Sequence, residues 1–190
     1  MQLSETAELT RERLIEAFWS LYSQKSLEHI SVKEIAAKAG YHRTTFYEYF
    51  FDVNDLYNQQ EDELLTYIKD NGLCNPGEEY EEDFVPRLAR LYDTKVKYLS
   101  ILMGENGNPN FLVKLKAMMC SSLMQSYGLS TIDAYSSYIM EFALSATISS
   151  INYWYKNGKN ISSIEFINLI RSMLIKGVEP MVKKYSLRSK

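Results

Sequence analysis

Apolar residues recur at three- and four-residue intervals along most of the chain, and no segment keeps the strict alternation of a β-strand. This pattern predicts an all-α protein. Only eight glycines and four prolines interrupt 190 residues, so few positions are forced into turns. The predicted helices lie at about residues 6–25, 32–39, 41–50, 53–70, 79–103, 109–127, 131–157 and 162–185, and the fifth has a possible break at residues 93–94.

The sharpest local signals lie near the N-terminus. Ser31 and Glu34 have the spacing of a capping box, in which the serine hydroxyl accepts from the amide of residue 34 and the glutamate reaches back. Gly40 follows two turns of apolar periodicity, where a helix commonly ends on a left-handed residue. Phe46 and Phe50 are spaced to share the inward face of the next short helix. Together these signals predict a helix-turn-helix.

Residues 30–50, ISVKEIAAKAGYHRTTFYEYF, resemble the DNA-binding core of the TetR family of transcriptional regulators. As in that family, a helix precedes the segment, and Asp52 is a suitable N-cap for the helix that follows. The resemblance implies a three-helix DNA-binding domain at residues 1–52. A helical regulatory and dimerisation domain is expected at residues 53–190, with its first helix linking the two. The implied function is a ligand-responsive repressor that binds a palindromic operator as a homodimer.

The residues expected to bind DNA are those that can pair with the hydrogen-bonding groups of base edges, with thymine methyl groups or with phosphate oxygens. Arg43 can donate two hydrogen bonds to guanine, and Thr44 or Thr45 can contact a base edge or a thymine methyl group. The tyrosine hydroxyls can reach phosphates, and the start of the preceding helix favours a phosphate through its free amides and dipole. The predicted DNA-binding residues are Ser31, Val32, Lys33, His42, Arg43, Thr44, Thr45, Tyr47 and Tyr49.

Three positions depart from the pattern usual in the family. Tyr49 stands where histidine is frequent, Thr44 where a small residue is frequent, and Val53 where lysine is common. Losing that lysine removes a phosphate contact, and the net charge of −3 also works against DNA binding. An alternative function therefore stays open: a TetR-fold coactivator or protein-interaction subunit with weak or no DNA binding of its own.

A dimer is expected because regulators of this kind recognise two half-sites one helical turn apart. The last two predicted helices carry more apolar residues than one internal face requires, so they are the expected interface. The interface residues are Tyr153, Ile167, Ile170, Leu174 and Val178. An unknown small-molecule effector, apolar or aromatic, is expected in the same domain. Its expected pocket residues are Tyr92, Met103, Met118, Tyr127 and Trp154, although core packing explains them equally well.

Other functions find little support in the sequence. Cys74, Cys120, His29 and His42 are scattered, without the spacing of a metal site or a catalytic group. No enzyme, metal or cofactor is therefore expected. Residues 134–155 are the most apolar stretch, but their many serines indicate a buried helix and not a membrane span. The N-terminus lacks a secretion signal, so a cytoplasmic protein without a membrane partner is expected.

Overall fold

The computed structural model describes residues 5–73, 84–126 and 134–177, and the regular elements of these residues are all helical. The predicted all-α fold class is confirmed. A 3₁₀ turn, Leu27–His29, precedes the second helix, and a π-helical segment, Lys69–Leu73, follows the fourth. The α-helices are α1 (Glu5–Tyr22), α2 (Val32–Ala39), α3 (Arg43–Tyr47), α4 (Val53–Ile68), α5 (Phe84–Leu102), α6 (Pro109–Ser126), α7 (Ala134–Lys156) and α8 (Ser163–Lys176).

Several helix boundaries differ from the predicted ones, and α1, for example, ends at Tyr22 and not at residue 25. Helix α3 is shorter than predicted because His42 is still extended, with φ −79° and ψ 153°. Helix α5 runs unbroken through residues 93–94, where Thr94 donates its hydroxyl to the carbonyl oxygen of Arg90 at 2.7 Å. Helix α8 ends at Gly177, which has φ 78°. The predicted continuation to residue 185 lies outside the described residues.

The fold groups into two compact units. The first comprises Met1–Thr66 together with Ile101–Leu112, and the second comprises Tyr67–Ser100 together with Val113–Lys190. The end of α5 and the start of α6 thus belong to the N-terminal unit. The functional division at residue 52 follows a different criterion from compactness and stays a prediction.

The core of the N-terminal unit is aromatic and aliphatic. Leu14, Phe18 and Tyr22 occupy one face of α1, and all three are fully buried. The predicted inward pair is confirmed, since Phe46 and Phe50 are buried with ring centroids 5.4 Å apart. Burying each such side chain contributes about 1.5–3 kcal/mol. The outward face of α3 therefore rests on a packed support.

An aromatic cluster forms part of the core of the second unit. Trp154 of α7 stacks on Phe166 of α8, with centroids 4.8 Å apart and planes 8° apart. Tyr92 of α5 lies 6.1 Å from Trp154 and 5.9 Å from Phe166, and burial raises the pKa of its hydroxyl. Trp154 Nε1 also donates to the carbonyl oxygen of Ile161 at 2.9 Å. This cluster holds α5, α7 and α8 together.

Candidate nucleic-acid interface

The start of α2 has the predicted capping box. The Glu34 amide donates to Ser31 Oγ at 3.3 Å, and the Ser31 amide donates to Glu34 Oε2 at 3.0 Å. Lys25 Nζ lies 2.6 Å from Glu34 Oε1, and this bond, followed by those from Ser31, lowers the pKa of Glu34 to about 2. The amides of Val32 and Lys33 belong to the first turn, which has no acceptor within the helix. They remain available to a phosphate.

The Glu34 carboxylate makes the stability of this helix start dependent on pH. Because its pKa is lower in the folded chain than the ordinary value of 4.5, the stabilisation is complete above that value and is lost as the pH falls toward about 2. We expect thermal denaturation of Glu34→Gln to vary less with pH across this window than that of the wild type. Glu8→Gln, on the exposed surface of α1, is the control. Parallel curves for wild type and Glu34→Gln would contradict the assignment.

Helix α3 presents a polar outer surface. Gly40, in the left-handed conformation with φ 81°, ends α2, and α3 begins three residues later at Arg43. Among the predicted DNA-binding residues, Val32, Thr45 and Tyr49 are half-buried. The exposed ones are Ser31, Lys33, His42, Arg43, Thr44 and Tyr47. The structure thus places Arg43, Thr44 and Tyr47 of α3 in solvent, while Phe46 faces inward.

Aromatic and charged contacts stabilise α3 and the residues that follow it. The ring of Tyr47 meets Phe46 edge-on at 5.8 Å between centroids. The Arg11 guanidinium of α1 lies 5.6 Å from the ring centroid of Phe50. The same guanidinium forms an ion pair with Glu63 of α4 at 2.7 Å. The segment around α3 is therefore tied to α1 and α4, which gives the exposed side chains a fixed frame.

Phe51 is an exposed residue at this surface that the sequence analysis missed. Its side chain is 83% exposed, directly after the buried Phe50. An aromatic residue is ordinarily assigned to a core, which is why it escaped notice. The sequence did contain a signal, namely two adjacent phenylalanines, Phe50 and Phe51. Because successive side chains project to different sides, both could not face the same core.

The predicted interface residues of the last two helices differ in exposure. Tyr153 and Leu174 are exposed, Ile170 is half-buried, and Ile167 is buried within its own chain. Val178 lies outside the described residues. Three further apolar residues of α7 are exposed but were not predicted, namely Tyr138, Ile139 and Phe142.

These exposed residues of α7 share a face. At 100° per residue, Tyr138, Phe142 and Tyr153 fall within about 60° of arc, and Ile139 widens the sector to about 100°. An apolar stripe of this kind on a helix surface is typical of a protein contact.

The predicted effector residues are only partly brought together. Tyr92 and Trp154 meet in the aromatic cluster, where both are buried. Met118 is half-buried on α6, whereas Met103 belongs to the N-terminal unit. Tyr127 lies outside the described residues. Core packing accounts for the position of Tyr92 and Trp154, so the pocket stays a prediction.

Within residues 5–73, 84–126 and 134–177, no helix combines the length and the hydropathy needed to cross a membrane. The same residues contain no group of three or more His, Cys, Asp or Glu side chains placed to hold a metal ion.

A helix-turn-helix with an exposed polar helix, followed along the chain by a second helical unit, is the organisation of a class of proteins, the helical transcriptional regulators. The profile of a TetR-family domain, described as the transcriptional regulator C-terminal region, matches residues 81–176. This match covers half of the chain and is independent of the N-terminal resemblance. The chain belongs to the TetR family of transcriptional regulators. No curated protein sequence matches the chain.

Solved structures share the fold. A TetR-family transcriptional regulator from Streptomyces coelicolor is 18% identical with a TM-score of 0.64, covering 98% of this chain and 86% of its own. The fatty acid degradation regulator FadR from Bacillus halodurans is 13% identical with a TM-score of 0.64, covering 94% of this chain and 99% of its own. The dihydroxyacetone kinase operon activator DhaS is 18% identical with a TM-score of 0.55, covering 90% and 96%. At these identities the likeness concerns the fold.

Proposed function

We propose that the protein is a ligand-responsive repressor that binds a palindromic operator as a homodimer. The observation that carries the proposal is the exposed face of α3, where Arg43, Thr44 and Tyr47 project from a helix anchored by the buried Phe46. Arg43 can pair with O6 and N7 of guanine in the major groove, and Thr44 with a base edge or methyl group. Tyr47 can donate its hydroxyl to a phosphate.

Dimerisation and effector binding complete the proposed mechanism. The exposed apolar face of α7 supports a two-fold contact, which would present two copies of α3 to two half-sites. An effector that prefers a conformation with the two α3 helices misplaced would release DNA, to the extent of its differential affinity for the two states. Aromatic and methionine side chains of the second unit suit an apolar effector. We expect this to occur in the cytoplasm.

The proposed contacts predict a modest dependence on salt. Arg43 is assigned to a base edge, so Lys33 is the exposed cation among the predicted residues that would contact a phosphate. Lys25 and Arg11 are held in ion pairs with carboxylates of their own chain. One phosphate-binding cation from each subunit corresponds to a slope of about −1.8 for log affinity against log salt concentration.

Binding to fragments of the gene's own upstream region, measured across a salt series, tests the proposal. Retention of one fragment with a slope near this value is expected. Retention of every fragment alike would indicate non-specific binding and would contradict an operator.

Arg43→Ala is expected to keep the protein folded and to reduce discrimination between operator and random DNA by about 1–3 kcal/mol. The reason is that the variant loses the paired donors to guanine while the support beneath α3 is unchanged. Competition binding with operator and scrambled duplexes measures the effect. The matched control is Arg90→Ala, which removes an exposed arginine from α5. Equal discrimination by wild type and Arg43→Ala would exclude Arg43 as a base reader.

A second candidate function is a coactivator or protein-interaction subunit that binds DNA weakly or not at all. Val53 is a half-buried apolar residue where the family commonly has a phosphate-binding lysine, and this favours the alternative. One of the structural relatives, DhaS, is named as an operon activator. Absence of retention on every upstream fragment at low salt and without effector would favour this function over the repressor.

A further inference from the structure

Phe51 combines high exposure with a fixed backbone. Its amide donates to Asp55 Oδ2 at 2.8 Å, and the Asp55 amide donates to Asp52 Oδ1 at the same distance. Gln59 donates to the other oxygen of Asp55 at 3.1 Å. The backbone at Phe51 is therefore tied to the first turns of α4, and its 83% exposed ring is not the product of a loose loop.

The neighbouring residues keep the ring of Phe51 outside the core. Phe50 fills the inward position, packed 5.4 Å from Phe46 between ring centroids and covered by Arg11. A large apolar side chain held in water forgoes about 1.5–3 kcal/mol of burial. Such a ring beside a helix-turn-helix is understandable if a partner covers it.

Its position next to α3 and its chemistry indicate what that partner offers. Tyr47, in the last position of α3, is exposed and lies four residues before Phe51. A phenyl ring has no donor for a phosphate, so it cannot serve the sequence-independent part of DNA binding. The apolar group that DNA presents in the major groove is the 5-methyl group of thymine, which apolar side chains contact. The adjacent carboxylates of Asp52 and Asp55 accept hydrogen bonds from backbone amides at the start of α4, which fixes their positions.

We infer that Phe51 is a specificity-determining residue that contacts a thymine methyl group at the edge of the half-site. This inference rests on the proposed DNA-binding function and adds to it an apolar contact beyond the hydrogen-bonding residues of α3. This hydrophobic contact supplies part of the DNA affinity that a lysine at position 53, in place of Val53, would have given. Unlike a phosphate contact, it depends on the base sequence.

Deoxyuridine in place of thymine removes the 5-methyl group alone and so tests the contact directly. The thymines of the retained upstream fragment are replaced one at a time, and wild type, Phe51→Ala and Phe51→Leu are titrated with each duplex. In each half-site, one of these single replacements is expected to weaken wild-type binding about fourfold, which corresponds to the loss of one buried methyl group. Phe51→Ala is expected to bind the thymine duplex at least about tenfold more weakly and to ignore that replacement. Phe51→Leu should keep part of the sensitivity.

The possible outcomes distinguish a failure of the Phe51 contact from a failure of the proposed DNA-binding function. Val113→Ala removes an equally apolar, exposed side chain from α6 and is expected to match wild type. In one outcome, wild type binds a specific fragment while Phe51→Ala shows the same affinity and the same sensitivity to deoxyuridine. That result overturns the inference and assigns Phe51 to a contact with a protein partner. If wild type retains no fragment, the DNA-binding function fails and the inference fails with it.

Discussion

Glutamate in place of Phe142 is expected to leave the protein folded but monomeric. The Phe142 side chain is 66% exposed on α7, between Tyr138 and Tyr153 on the same face, so the substitution costs the isolated chain little. In a two-fold dimer each residue of the interface occurs twice, and two carboxylates would be buried without partners. Losing a central aromatic contact costs about 2 kcal/mol or more per copy, which weakens the dimer by roughly a thousandfold.

The oligomeric state is measured by sedimentation or light scattering over a range of concentrations, and folding by circular dichroism. Val113→Glu is the matched control, because Val113 is also 66% exposed but lies on α6. The control is expected to remain dimeric. A Phe142→Glu protein that is still a dimer would move the interface away from this face of α7. A monomer should also lose operator affinity, since each half-site would be bound without the other.

Trp154→Ala is expected to destabilise the second unit by about 3–5 kcal/mol. The indole is buried, stacks on Phe166, and donates its N–H to the carbonyl oxygen of Ile161. The substitution creates a cavity between α7 and α8 and leaves the part-buried carbonyl oxygen of Ile161 without its donor.

Chemical denaturation at one fixed protein concentration measures this effect, because the stability of a dimer depends on concentration. Lys156→Ala, an exposed substitution two residues along the same helix, is expected to change the free energy of unfolding by less than about 0.5 kcal/mol. A Trp154→Ala protein as stable as this control would mean that the aromatic cluster contributes little to the core.

Local signals explain why the N-terminal helices were predictable. The capping box of Ser31 and Glu34, the left-handed Gly40 and the Asp52 cap each depend on residues no more than four positions apart. Interactions at that range are available to the chain before any tertiary contact forms, so sequence alone reveals them. The inward pairing of Phe46 and Phe50 follows from helical periodicity in the same way. The family resemblance depends on these same residues.

Burial on the long apolar helices could not be predicted in this way. Tyr153 and Trp154 are adjacent in sequence and alike in chemistry, yet the first is exposed and the second is in the core. Ile167, expected at an interface, is buried within its own chain, while Phe142 was overlooked and is exposed. The apolar residues of α7 exceed one stripe, so periodicity does not select the inward face.

The sequence by itself thus determined the family, the helical class, and the start and end of α2, because these depend on short-range hydrogen bonds and spacing. Only the tertiary structure decided which aromatic residues form the core and which, like Phe51 and Tyr138, remain for a partner. That choice depends on how α5, α7 and α8 meet in space, since hydrophobic burial is non-directional and carries no local signature in the chain.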